Sequence, residues 1–303
     1  MKRPLIWLTM VVAVLAACQS SGTEAAPGKK VIVVTYSVLG GLVKELVGDQ
    51  ADVIVPMPNG QDPHEWEPSA KDIEAIMRAD LIVQNGLGLE GGLEKTLARA
   101  REAGVKFFTA SDHMVVRKVG EGEGITGGDP DQTVGADDPH LWMDPLAMKQ
   151  VVEALALQIR TDLGLDVSDR AKDLGRRLDA LNAEIAVRVE QVPEAQRQLV
   201  TGHESLGYFA QRYGFKLIGA IVPGLTPQAE VSAADLAALK QIIQSSGVKA
   251  IFAELGTPQN VAQAIGQETG AQVIELTTHF LPGDGSYFTF MRNLATTITE
   301  GLK

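Results

Sequence analysis

Two short stretches share one pattern. Asp62-Pro63-His64 is echoed by Asp138-Pro139-His140, and the echo runs on through Leu141-Trp142-Met143-Asp144-Pro145. A third histidine stands in Thr201-Gly202-His203-Glu204-Ser205, and a fourth, His279, in Leu276-Thr277-Thr278-His279-Phe280. The chain has only 5 histidines, and four of them fall where an apolar run gives way to a loop. Such placement points to one shared task, the holding of a metal ion. Neutral imidazole suits zinc, copper and nickel, whereas manganese and magnesium prefer more oxygen, so three or four imidazoles favour zinc over manganese. Four protein ligands would close a tetrahedral holding site; three plus water would make a catalytic one. Asp62, Asp138 and Asp144 are candidates to accept from an imidazole and fix its tautomer. Trp66 and Trp142 are candidate walls. His113, in Ser111-Asp112-His113-Met114, lacks this context and reads as a solvent-facing side chain.

Composition narrows the partners. A formal net charge of -11 argues against nucleic acid, which wants a basic face. The single cysteine, Cys18, excludes an intramolecular disulfide and any Cys-built zinc site, so a metal site must use imidazole and oxygen. Lys2 and Arg3 precede an apolar run from Leu5 to Ala17 that is too short for a stable membrane span, and the run ends Leu15-Ala16-Ala17-Cys18. Residues 1–18 therefore read as a lipoprotein signal peptide and 19–28 as a flexible tether. The expected mature protein is extracytoplasmic, in the periplasm or at the cell surface, with a lipid anchor to the membrane through Cys18.

The elements that must position the histidines follow from hydrophobic period. Val31-Ile32-Val33-Val34-Thr35 is a β-branched run, hence a buried strand, and further strands are predicted at 51–55, 81–84 and 105–108. Helices alternate with them at 37–47, 70–78 and 93–103, with Ser69 as a cap. A glycine-, Asp- and Glu-rich segment, 120–138, has no apolar period and reads as a mobile acidic loop leading into His140. A helix at 145–163 precedes a longer one capped by Ser168, whose apolar positions Ala171, Leu174, Leu178, Leu181, Ile185 and Val189 step by three and four. At roughly 24 residues it is a rod of about 36 Å. A second alternating set follows, with strands at 198–201, 216–222, 248–253 and 272–276. The predicted fold is α/β: two lobes, each with a mainly parallel sheet flanked by helices, joined by one long rigid helix. The N-terminal lobe is 29–167, the linking helix 168–192 and the C-terminal lobe 193–303. Ligands of open parallel sheets bind beyond the carboxyl ends of the strands. That places His64 and His140 of one lobe opposite His203 and His279 of the other, across a cleft.

These residues carry a resemblance. Asp62-Pro63-His64-Glu65-Trp66-Glu67-Pro68, the stretch from Asp138 to Pro145, His203-Glu204-Ser205-Leu206-Gly207-Tyr208-Phe209 and Ile251-Phe252-Ala253-Glu254 resemble the metal-binding receptors of bacterial ABC importers for zinc and manganese, the zinc-uptake and adhesin-type lipoproteins. The likeness covers nearly all of the mature chain. It implies a monomeric solute-binding protein, not an enzyme, that delivers a divalent metal ion to an ABC transporter permease. The family's first three ligands map onto His64, His140 and His203. Manganese members tend to carry a carboxylate third, so His203 leans towards zinc. The fourth ligand is usually an aspartate, and Thr277 stands about where it would be. His279 is the expected substitute, with Glu254, Glu275, Asp284 or water as the alternatives. The histidine-rich loop of many zinc members is replaced by the acidic segment.

A different class, a metal-dependent hydrolase with an open zinc position and Glu204 as base, lacks its signatures. His203-Glu204 is not followed by a second histidine three places on, and Ser205 lacks the glycine two places before it that a nucleophile elbow needs. Ordinary imidazole ligands would also make zinc affinity fall as pH drops through about 6.5.

Overall fold

The computed structural model describes residues 28–123 and 133–303. The expected signal peptide with Cys18, the tether up to residue 27 and residues 124–132 of the acidic segment lie outside the described residues. Strands β1 (Lys30–Val34), β2 (Ala51–Ile54), β3 (Leu81–Gln84) and β4 (Phe107–Thr109) alternate with helices α1 (Ser37–Val47), α2 (Ala70–Met77) and α3 (Glu94–Glu102). They form one parallel sheet in the order β2-β1-β3-β4. Helices α4 (Pro145–Leu163) and α5 (Ser168–Val189) follow. Then β5 (Gln198–Thr201), α6 (Gly207–Tyr213), β6 (Lys216–Ala220), α7 (Ala233–Ser246), β7 (Ala250–Ala253), α8 (Gln259–Thr269), β8 (Gln272–Glu275) and α9 (Tyr287–Gly301) complete the chain. The second sheet is also parallel, in the order β6-β5-β7-β8.

Local chemistry explains the boundaries. Asp144 caps α4 by accepting from Leu146 N, with Pro145 at the first helical position, and Gly164 ends the helix in the left-handed conformation. Ser69 and Ser232 each form a capping box, with Asp72 and Asp235. Ser168 is not the cap expected of it. It is the first helical residue of α5, and its N–H bonds to Asp166 Oδ1 at 3.1 Å. β4 starts at Phe107 rather than Val105, because Val105 N–H closes the end of α3 on Ala100 O.

The apolar stripe predicted on α5 is buried along its whole length, from Ala171 to Val189. Each such leucine or isoleucine contributes about 1.5–3 kcal/mol relative to exposure. The stripe belongs to a core that also takes in Ile32 and Val34 of β1, Leu199 of β5, Phe252 of β7, Phe209 of α6 and Met291 of α9. The two sheets are thus packed on a common layer of helices, α1, α4, α5, α6 and α9. Each keeps a separate outer core, Ile82 and Leu97 on one side, Ile251 and Ile265 on the other. No described helix is long and apolar enough to cross a membrane.

Candidate metal centre

Four loops leave the carboxyl ends of the two sheets and turn inwards, each with one imidazole. His64 lies in the turn beyond β2, His140 directly before α4's lead-in turn, His203 two residues past β5 and His279 four past β8. All four side chains are buried. Each offers one ring nitrogen to a group whose members all lie within 4.8 Å of one another. His140 is the hub: its Nε2 is 3.4 Å from His64 Nε2 and 3.3 Å from His203 Nε2. Zinc–imidazole bonds of about 2.0–2.1 Å give a tetrahedron whose edge is about 3.3–3.4 Å. Those two spacings match two edges of such a tetrahedron. His279 stacks on His203 with ring centroids 5.2 Å apart, and its Nε2 is buried with no hydrogen-bonding partner in the protein.

The imidazoles are held from behind. Asp138 Oδ1 accepts from His140 Nδ1 at 2.9 Å and from the backbone N–H of His140 at 3.0 Å, so the His140 Nε2 lone pair faces the cluster. Arg117 fixes the other oxygen, donating to Asp138 Oδ2 at 3.0 Å, and is itself paired with Glu123. Asn85, at the end of β3, donates to Pro139 O at 2.8 Å and accepts from Tyr36. The backbone N–H of His64 bonds to Asp62 Oδ1 at 2.9 Å, while its Nδ1 has no partner in the protein. His279 Nδ1 meets Thr278 Oγ1 at 2.7 Å.

Contacts between the lobes set the convergence. Asn59 of the His64 loop donates to Leu281 O at 2.7 Å and accepts from Leu281 N at 2.8 Å, clamping the loop that carries His279. Trp142 Nε1 donates to Thr278 O, and its ring packs edge-on to both His140 and His279. Tyr208 of α6 accepts from Arg117 N and donates to Asp138 O. Residue 207 must be glycine for this approach, since a methyl there would overlap Asp138 Oδ2 and Arg117.

Burial governs the electrostatics. It holds the His64, His203 and His279 imidazoles well below the usual histidine range, with the neighbouring imidazoles pushing the same way. It raises Asp62 to about 6, against the opposing His64 N–H bond. It raises Glu204 and Glu254 as well; the hydroxyls of Ser205 and Thr278 oppose the shift at Glu254. The expectation of a transition near pH 6.5 is thereby displaced. Three of the rings are neutral in the native fold at pH 6.5, ready for a cation without first losing a proton. The unfolded chain, by contrast, takes up a proton on each as pH falls through about 6.5. Depressed folded values therefore make each ring withdraw up to about 1.4 kcal/mol of metal-free stability per pH unit below that point. Histidine ring resonances of the metal-free protein should show His64, His203 and His279 unchanged between pH 7.5 and 5.5. A titration near 6.5 at any of the three would contradict this.

The other predicted residues fall as follows. Asp144 caps α4 and forms a two-pronged pair with Arg212, so it holds no imidazole. Trp66 is half-buried in the first lobe's packing rather than walling the cluster. Glu275 and Asp284 are exposed, and Asp284 caps the start of α9 through Ser286 N and Thr289. Glu254 is buried behind His203, its Oε1 3.6 Å from His203 Nδ1. His113 is exposed and stacked on Phe108. Sequence reasoning passed over Arg117 and Thr278. Nothing marks a lone arginine ahead of an irregular loop as buried, but a hydroxyl directly before His279 was a usable signal. The described part of the acidic segment is tied down. Lys118 and Asp137 bridge its two ends, and Glu123 accepts from Gly120 N.

Comparisons with known proteins bear on this geometry. The family described as zinc-uptake complex component A, periplasmic, matches residues 32–301. The zinc-binding lipoprotein AdcA of Streptococcus pneumoniae is 30% identical over 282 residues, which are 89% of this chain and 54% of that protein. The chain thus spans about half the length of that relative. The manganese ABC transporter substrate-binding lipoprotein PsaA of Streptococcus anginosus is 26% identical over 98% of this chain and 97% of its own. Among solved structures, the periplasmic zinc-binding protein TroA of Treponema pallidum superimposes with a TM-score of 0.78 at 26% identity, covering 91% of this chain and 99% of TroA.

Proposed function

The chain belongs to the zinc-uptake complex component A family, and from that premise we propose that it is an extracytoplasmic solute-binding protein, not an enzyme, that captures zinc between its lobes and delivers it to an ABC permease. The observation that carries this reading is the convergence of four buried imidazoles, with Nε2 spacings of 3.3 and 3.4 Å around His140. His64, His140, His203 and His279 are the ligands. Zinc is cargo, so nothing needs to react: the site has to bind tightly, exclude water and let go when the lobe contacts change.

The four donors are imidazole nitrogens, which favours zinc over manganese although relatives named for either metal are similar to this chain. The division into an N-terminal lobe, a linking helix at 168–192 and a C-terminal lobe belongs to the same proposal. The long buried stripe of α5 supports that division. So does lipid anchoring through Cys18, for which the relatives' description as lipoproteins speaks.

Elemental analysis of the purified protein, then titration of the stripped chain with zinc and with manganese, tests the reading. One zinc per chain is expected, with a melting temperature raised by zinc well beyond what manganese gives. Ligand at about 1,000 times Kd adds about 4 kcal/mol to the folded state. Absence of zinc binding, or tighter binding of manganese, would sink it.

A further inference from the structure

The second sheet places one carboxylate where it can serve two ligands. In the order β6-β5-β7-β8, strand β7 lies between β5, which leads to His203, and β8, which leads to His279. Glu254 is the first residue beyond β7. Parallel pairing of Thr201 with Phe252 and of Ala253 with Glu275 brings all three strand ends level. From this middle position a single side chain reaches both flanking loops. Gly202 leaves the room: a methyl there would lie 2.7 Å from Glu254 Cγ. Thr257 Oγ1 accepts from Glu254 N at 3.0 Å and sets the turn.

With Glu254 ionised, and so an acceptor only, the hydrogen bonds leave no freedom of direction. Ser205 Oγ and Thr278 Oγ1 each lie 2.6 Å from Glu254 Oε2, and each donates its only hydroxyl proton there. Thr278 has no second proton, so at its 2.7 Å contact with His279 Nδ1 the hydroxyl oxygen must accept. His279 is thereby the Nδ1–H tautomer, and its Nε2 lone pair is turned into the cluster. On the other side, Glu254 Oε1 faces His203, accepting from its backbone N–H at 3.4 Å and lying 3.6 Å from its Nδ1.

We propose that Glu254 is not a ligand but the positioning residue for both C-terminal-lobe histidines, fixing the His279 ring through the Thr278 hydroxyl and the His203 backbone through its N–H. The inference rests on reading the four histidines as the zinc site. It goes beyond that reading by assigning the tautomer of His279 and the backbone placement of His203 to one carboxylate. An amide at this position cannot serve both sides. Turned one way its NH2 meets the two hydroxyl protons; turned the other way it meets the His203 N–H.

The test uses the 15N-labelled full chain, wild type and three variants: Glu254→Gln, Thr278→Val and Thr278→Ser. Ring tautomers are read by NMR in the metal-free protein, and zinc affinity by competition with a chelator. Wild type should show His279 as a single Nδ1–H tautomer. Glu254→Gln should lower zinc affinity 10- to 100-fold and disturb the tautomer of His279. Thr278→Val should do the same with the change confined to His279. Thr278→Ser, which keeps the hydroxyl, should stay within about twofold of wild type. Loss of affinity in Glu254→Gln with the His279 tautomer unaltered would overturn the proposal in favour of Glu254 as a ligand, and unchanged affinity would overturn it outright. Should Glu254→Gln fail to fold, the Thr278 pair still decides. A wild type that binds no zinc would defeat the receptor reading, while the metal-free tautomers would still judge Glu254.

Discussion

Replacing His140 by alanine should weaken zinc binding by about two to three orders of magnitude. Four-ligand zinc sites release about 10–16 kcal/mol at neutral pH, or about 2.5–4 kcal/mol for each ligand if shared evenly, and each 1.4 kcal/mol is tenfold. Among the proposed ligands, His140 is the one for which even sharing is an underestimate. Its Nε2 is the one nitrogen within 3.4 Å of two others, and its ring is held by an Asp138–Arg117–Glu123 chain that reaches from the first lobe to the foot of α6. The measurement is a chelator-competition titration of wild type and His140→Ala, with His113→Ala as the control. His113 is exposed and lies outside the cluster, so its loss should change affinity less than twofold. A His140→Ala affinity within tenfold of wild type would mean that the nitrogens around it do not share an ion.

His279→Asp should move the metal preference towards manganese, raising the manganese-to-zinc affinity ratio by roughly tenfold or more, ~1.4 kcal/mol in the difference. The proposed set is four imidazole nitrogens, and manganese gains from hard, charged oxygen where zinc accepts either. The change swaps a ring whose Nε2 is buried without a protein partner for a carboxylate, and it supplies the negative charge that the histidines lack. The readout is competition between the two metals, with manganese followed by its electron paramagnetic resonance. Glu275→Ala and Asp284→Ala serve as comparisons, because both side chains are exposed and clear of the cluster. An unchanged ratio in His279→Asp would remove His279 from the ligand set.

Much of the fold was legible because its causes are local. A β-branched run such as Val31–Val34 makes a strand buried on both faces, and the three-and-four spacing from Ala171 to Val189 makes a helix with one apolar stripe. The errors are also local and small. A serine at the start of an apolar stripe reads as a cap, yet Asp166 accepts from the Ser168 N–H, and Val105 reads as a strand residue, yet its N–H ends α3. The candidate residues were legible for a further reason: parallel strands send their carboxyl ends the same way, so a histidine just after a strand belongs at the sheet's binding edge.

Sequence alone therefore determined which side chains could hold an ion and that they come from both halves of the chain, since residue type and position relative to strand ends are local properties. Only the tertiary structure decided how they are aimed and tuned. Spatial strand order put Glu254 between His203 and His279, and the close approach at Gly207 set Arg117 on Asp138. Burial in the folded protein lowered three imidazoles that an unfolded chain would leave near 6.5. Each of these depends on groups scores or hundreds of residues apart being brought within a few ångströms, and no local pattern encodes that separation.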